Sequence, residues 1–155
     1  MQFPNETNLF QIEHALLLNN SYKYLLLRNL IEKNISDQKL AQQLFHAPFA
    51  LLSHNTDSDP IFNYANLKAL ELFELSWESF TKLPSRLSAE PINQSERDRL
   101  LAEVTLNGYI KNYSGVRISS TGNRFMIKNA VVWNLLDTNK NYKGQAAYFD
   151  EWTFI

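Results

Sequence analysis

Of all the side chains in this sequence, the three histidines, His14, His46 and His54, offer the broadest chemistry, because imidazole serves as metal ligand, haem ligand and general base. Their spacing matches no metal motif, and two of them lie in an amino-terminal stretch with helical patterning. The absence of cysteine removes disulfides, thiolate metal sites, iron–sulfur clusters, cysteine nucleophiles and any flavin photochemistry that needs a thiol adduct. A Gly-rich phosphate loop, a Gly-x-Ser-x-Gly elbow and a His-Glu-x-x-His pair are all missing, and 4 glycines serve phosphate cradling poorly. Glu71, Glu74 and Glu78 recur along predicted helices and read as solvated faces rather than an acid pair. The expectation is a chain that is not an enzyme.

Other polar residues have two readings each. Asn129 falls on an otherwise apolar stripe, where an unpartnered buried amide costs about 1–3 kcal/mol, so it needs a side chain, a water or a ligand to bond. Arg86 could clamp a carboxylate or phosphate with its guanidinium fork, or pair with Glu90 or another nearby carboxylate. Tyr64 and Asn66 read either as a pocket edge or as a core aromatic followed by a helix cap.

The elements that must position these residues change character at Pro48. Before it, Leu9, Ile12 and Leu16, then Leu26 and Leu30, recur at helical spacing from Asn8 to Lys33, with a break or cap expected at Asn19-Asn20-Ser21. A further short helix is expected from the Ser36 cap. After it, Phe49–Leu52 and Ile61–Tyr64 predict two strands joined by a turn-rich linker. Caps at Asn66 and Ser76, and a Ser95/Asp98 capping pattern before Leu100 to Leu106, predict helices next. Tyr113–Ser119, Arg124–Leu136 and Gln145–Phe154 then predict three antiparallel strands joined by hairpins. The order is α+β, with helices on one face of a sheet.

Along Arg124–Leu136 a strict two-residue period puts Phe125, Ile127, Asn129, Val131, Trp133 and Leu135 on one face. Both faces contain apolar residues, so the helices before Pro48, or a partner, must cover the second one. With 45% hydrophobic residues, 155 residues suffice for one core. A net charge of -1 gives no reason to expect nucleic acid as a partner. No apolar run is long enough to span a bilayer, and Met1–Glu6 lacks a basic signal-peptide region, so the expected location is the cytoplasm, away from the membrane.

Several strings, in order, resemble a known family. Pro60-Ile61-Phe62-Asn63-Tyr64-Ala65-Asn66, Ala69–Glu74 and Ser76-Trp77-Glu78 are similar to the opening of a MEKHLA domain. So are Leu83–Pro91, Tyr113–Ser119, Ala130–Asp137 and Gly144-Gln145-Ala146-Ala147. The resemblance implies a PAS-like fold, a five-stranded antiparallel sheet with helices between its second and third strands. It divides the chain into a helical extension, residues 1–47, and a PAS-like domain, residues 48–155. The Met-Glu-Lys-His-Leu-Ala string that names the plant domains is absent.

The same resemblance places any small-molecule pocket between the inner sheet face and the helices, which directs attention to Asn129, Trp133, Gln145 and Phe149. Tyr64, Asn66, Trp77 and Arg86 complete the candidate ligand-binding set. Haem held as in some PAS sensors is not expected, since Ser95–Leu106 contains no histidine. The implied role is a sensory or regulatory module that binds a small organic ligand, flavin or a metabolite, and signals through its amino-terminal helices or by dimerisation. The alternatives are a ligand-free interaction domain, acting as a homodimer or on a regulatory protein partner, and, with less support, a small α+β enzyme.

Overall fold

The computed structural model describes residues 1–31 and 34–155. Residues 32 and 33, the end of the first expected helical stretch, lie outside the described residues. Two helices come first, α1 (Ile12–Leu26) and α2 (Asp37–His46). Strands β1 (Ala50–His54) and β2 (Phe62–Ala65) follow, then α3 (Leu67–Phe73), α4 (Trp77–Phe80), a 3-10 turn (Ser85–Ser88) and α5 (Pro91–Asn107). The chain closes with β3 (Tyr109–Ile118), β4 (Arg124–Leu136), β5 (Tyr142–Phe149) and β6 (Glu151–Phe154). All strand pairs are antiparallel, in the order β2-β1-β5-β4-β3, with β6 beside β4. A sixth strand thus joins the five expected. It continues the line of β5, since Val131 opposite Tyr148 and Lys128 opposite Glu151 keep one register across Asp150.

Local chemistry explains most boundaries. Ser36, Asn66 and Ser76 each accept a bond from the backbone N–H three residues on, as their sequence context predicts. Two boundaries differ from expectation. The Asn19-Asn20-Ser21 triplet does not break α1, because its polar groups are used laterally: Asn19 binds Asn29 and the Leu30 N–H, and Ser21 Oγ both donates to and accepts from the Leu136 backbone. Helix α5 begins at Pro91 instead of Ser95, since proline's fixed φ and missing N–H suit the first helical position.

The sheet separates two layers. Helices α3, α4 and α5 pack against the inner face, where Phe73 meets Phe62 and Phe125. On the outer face lies α1 of the same chain, with Tyr22 edge-on to Trp133 at 4.9 Å and His14 bonded to Ser53. Asn66, fully buried, ties three elements at one point. Its Oδ1 accepts from Leu51 and Ala69, and its Nδ2 donates to the Leu44 and Phe49 carbonyls.

The strict alternation expected for β4 fails at Asn129. This residue has φ 53°, and Asn112 on β3, on the other side of the Tyr113–Ala130 pair, has φ 59°. The β3–β4 register shifts on either side of Tyr113, so two bulges offset one another. Ile127 and Val132, five residues apart, consequently face the same inner cavity, while Trp133 faces α1. Asn129 itself is exposed and donates to Glu151.

Because a β-branched residue resists positive φ, Asn129→Val is expected to cost about 1–2 kcal/mol in urea unfolding. Asn129→Gly, free of that restriction, should stay within about 0.5 kcal/mol of the parent.

Candidate functional site

A cavity of about 70 Å3 lies between the inner sheet face and α5. Its walls are mostly apolar: Leu52 from β1, Phe62 from β2, Phe73 from α3, Leu100 from α5, Ile127 and Val132 from β4, Ala147 and Phe149 from β5. The polar residues on its wall are Ser53, His54, Ser88, Arg97, Tyr113, Arg117 and Gln145. Among the described residues, no Asp or Glu lines it. His54, Arg97, Leu101 and Gln145 also line a surface cleft of about 420 Å3 that includes the exposed Asp59, Arg86, Asp98 and Tyr142. The cavity and the cleft therefore share one wall.

His54 sits at the end of β1, where Gly144 on β5 lets the strands approach: a Cβ at Gly144, whose φ is 123°, would collide with the His54 carbonyl oxygen. The imidazole has both nitrogens engaged. Nε2 lies 3.3 Å from Gln145 Oε1, which only accepts, so Nε2 carries the proton and Nδ1 accepts from Ser85 Oγ at 2.9 Å. Ser85 in turn accepts from Arg97 Nη2 at 2.7 Å. Beyond the ring, Gln145 Nε2 donates to Asn134 Oδ1, Thr105 Oγ1 and the Leu101 carbonyl, and Asn134 Nδ2 donates to the Val104 carbonyl. One directed chain of bonds thus crosses α5, β1, β5 and β4. Burial, assisted by the Arg97 charge, lowers the His54 pKa to about 4, against the smaller raising effect of the Gln145 bond.

The second polar cluster is built on β3. Tyr113, Gly115 and Arg117 alternate along the strand, and a Cβ at Gly115 would strike the Tyr113 hydroxyl and press on the Arg117 guanidinium. The glycine leaves room for Arg117 Nη2 to donate to Tyr113 Oη at 3.1 Å, while Tyr113 donates to Glu96 at 2.9 Å. Arg117 Nη1 donates to the Val116 carbonyl. Arg97 feels this second cation: burial first, and then the Arg117 charge, lower its pKa to about 10, so it stays protonated at neutral pH.

Of the residues expected to bind a ligand, Gln145 and Phe149 line the cavity and the other six do not. Asn129 is carried to the surface by the bulge, and Trp133 is turned to the outer face under α1. Tyr64 is stacked on His14 with ring centroids 5.3 Å apart, Asn66 serves as the buried tie described above, and Trp77 donates to the Met1 carbonyl. Arg86 pairs with Asp59 on the rim of the surface cleft, while Glu90 pairs with Arg124. Sequence reasoning passed over Arg97, Tyr113 and Arg117, and weighed His54 only for metal and haem chemistry. A pattern was available for two of them: Arg97 lies three and seven residues before Leu100 and Val104, on the buried stripe of α5, and Arg117 alternates with Tyr113 about a glycine.

His14, like His54, is held neutral, burial lowering its pKa to about 4. A histidine whose folded pKa lies below its unfolded value binds a proton more readily unfolded, so stability falls as the pH drops from about 6.5 toward 4. Each contributes a loss of roughly 3 kcal/mol across that window. Urea unfolding at pH 7, 6 and 5 is expected to show a steep decline, and His14→Asn and His54→Gln should each flatten it.

The comparisons accord with this architecture. The MEKHLA domain family model matches residues 12–154, a span that takes in α1 and α2. The homeobox-leucine zipper protein HOX10 of Oryza sativa subsp. indica is 27% identical over 137 residues, covering 87% of this chain and 16% of that protein. This chain therefore spans about a sixth of that relative's length. The PAS domain of a Colwellia psychrerythraea protein superposes with a TM-score of 0.63 at 13% identity, over 76% of this chain and 95% of that one. A light-oxygen-voltage domain studied with a flavin analogue gives 0.60, also at 13% identity, over 76% and 84%. The fold is PAS-like, and the chain belongs to the MEKHLA domain family.

Proposed function

We propose that this MEKHLA domain is a non-catalytic regulatory module that takes a small organic ligand into the cavity between its inner sheet face and α5 and reports occupancy through α1. One observation carries the reading: a cavity with apolar walls, polar groups of five elements on its lining, and a wall in common with an open cleft. Such convergence is what a binding site requires and a well-packed core avoids.

A flavin does not fit. Pockets for ligands of such size run to roughly 300–1,000 Å3, well above the cavity's 70 Å3, and the chain has no cysteine to form an adduct. The non-catalytic reading is supported by the wall itself. Its one imidazole has both nitrogens committed, and no carboxylate stands there among the described residues to act as acid or base.

The route to α1 is short. On β1, His54 touches the cavity while its neighbour Ser53 bonds to His14 of α1; on β4, Val132 touches the cavity while its neighbour Trp133 packs on Tyr22. A strand displaced from within moves both contacts on its far side.

Native mass spectrometry of protein purified without denaturation, set against the same protein refolded after extraction, is expected to show a small-molecule adduct in the first sample alone. Hydrogen exchange in Ile12–Leu26 should be slower with the adduct present. Ala147→Leu, which fills the cavity, should abolish both differences. Identical masses and identical exchange in the two preparations would overturn the proposal.

A further inference from the structure

Resting on that ligand-binding reading, we infer that the ligand is a short-chain organic acid, its carboxylate held by Arg97 and Arg117 and its hydrocarbon tail laid against Leu52, Ile127, Val132 and Phe149. Both arginines are almost wholly buried, at 7% and 8% exposure, and both guanidinium-bearing side chains line the same cavity. Two cations withdrawn from water beside one another are costly unless an anion offsets them. Among the described residues none makes a hydrogen bond to either. The nearest carboxylate to Arg97, on the exposed Asp98, lies 3.9 Å from Nη1; Asp59 is engaged by Arg86; and Glu96 reaches Arg117 only through the Tyr113 hydroxyl.

The hydrogen bonds tell the same story. Arg97 donates once, to Ser85, and Arg117 donates to Val116 and Tyr113, which leaves most of the N–H donors of two guanidinium forks without a protein acceptor and open to the space of the cavity and cleft. A fork is suited to a carboxylate, which accepts two parallel bonds. The apolar remainder of the wall and the small volume favour a single carboxylate on a short tail, since a phosphate ester would bring more charge and bulk than the cavity accommodates.

The test titrates the intact protein with butanoate, and with butanamide, chloride and inorganic phosphate as controls, following the melting temperature and the Nε–H NMR signals of Arg97 and Arg117. Butanoate is expected to raise the melting temperature and shift both signals, with butanamide, chloride and phosphate at least tenfold weaker. Arg97→Met and Arg117→Met should each weaken butanoate at least tenfold, and Arg97→Lys should restore part of the loss. Because Arg97→Met relieves repulsion between buried cations, it should melt no lower than the parent, which separates lost binding from lost folding. The arginine signals of the unsubstituted protein report contact whether or not a variant folds. Butanamide, chloride or phosphate binding as tightly as butanoate, or butanoate binding unchanged in both methionine variants, would overturn the organic-acid assignment while leaving a ligand site. Failure of every compound, together with no adduct in the mass spectrum, would remove the ligand site as well.

Discussion

The face that each side chain of β3 and β4 presents depends on one backbone constraint, the left-handed residues Asn112 and Asn129. A strand shows alternate residues to alternate faces, so a single extra residue exchanges the two faces for everything beyond it. On β4 the exchange puts Phe125 and Ile127 on the inner face before the bulge and Val132 and Asn134 after it, with Trp133 sent outward. On β3 the compensating bulge at Lys111 and Asn112 restores the pairing of Ile110 with Val132, and beyond it Tyr113 and Arg117 stand on the inner side with Ile127. Asparagine is suited to this position, because it tolerates positive φ better than other residues with a side chain.

The sheet separates the buried polar groups into two environments. Outside the sheet, His14, Ser53, Asn63 and Ser21 bond across the α1 layer. Inside it, polar groups form the linked chain from Arg97 to Val104, every member of which has a partner, and beside it the arginine pair, which lacks a direct anionic one. Buried networks are usually satisfied throughout. The satisfied network adjoins the arginine pair directly, since Ser85 bonds both His54 and Arg97.

How far the sequence foretold this follows from which rules are local. The caps at Ser36, Asn66 and Ser76 were legible because they need only a residue and its next three neighbours. The element order and the need to cover a second apolar face were legible from periodicity, and α1 supplies the cover. The site was not, apart from Gln145 and Phe149. A bulge carries little sequence mark beyond an asparagine, so the phase of β4 beyond Asn129 was read on the wrong face, and Trp133 with it. Arg86 and Arg97 look alike in sequence. Only the three-dimensional neighbours, Asp59 at the surface for one and Arg117 in the interior for the other, distinguish an exposed arginine hydrogen-bonded to a carboxylate from a buried one that has only the long contact to Asp98.

A thin sheet between a polar-ended cavity and a tightly packed helix also bears on why α1 belongs within the domain, as the family match from residue 12 indicates. The outer face presents Val131, Trp133 and Leu135, all nearly inaccessible to solvent, and large exposed apolar faces of that kind drive association. With α1 in place, Trp133 is covered by Tyr22, and the backbone of Leu136 is held by Ser21 at two atoms. The helix is therefore fixed to the strand at its far end while meeting β1 through His14 near its start. Two attachments join α1 to β1 and β4, strands that both line the cavity and are separated by β5, which contributes Gln145, Ala147 and Phe149 to the cavity wall.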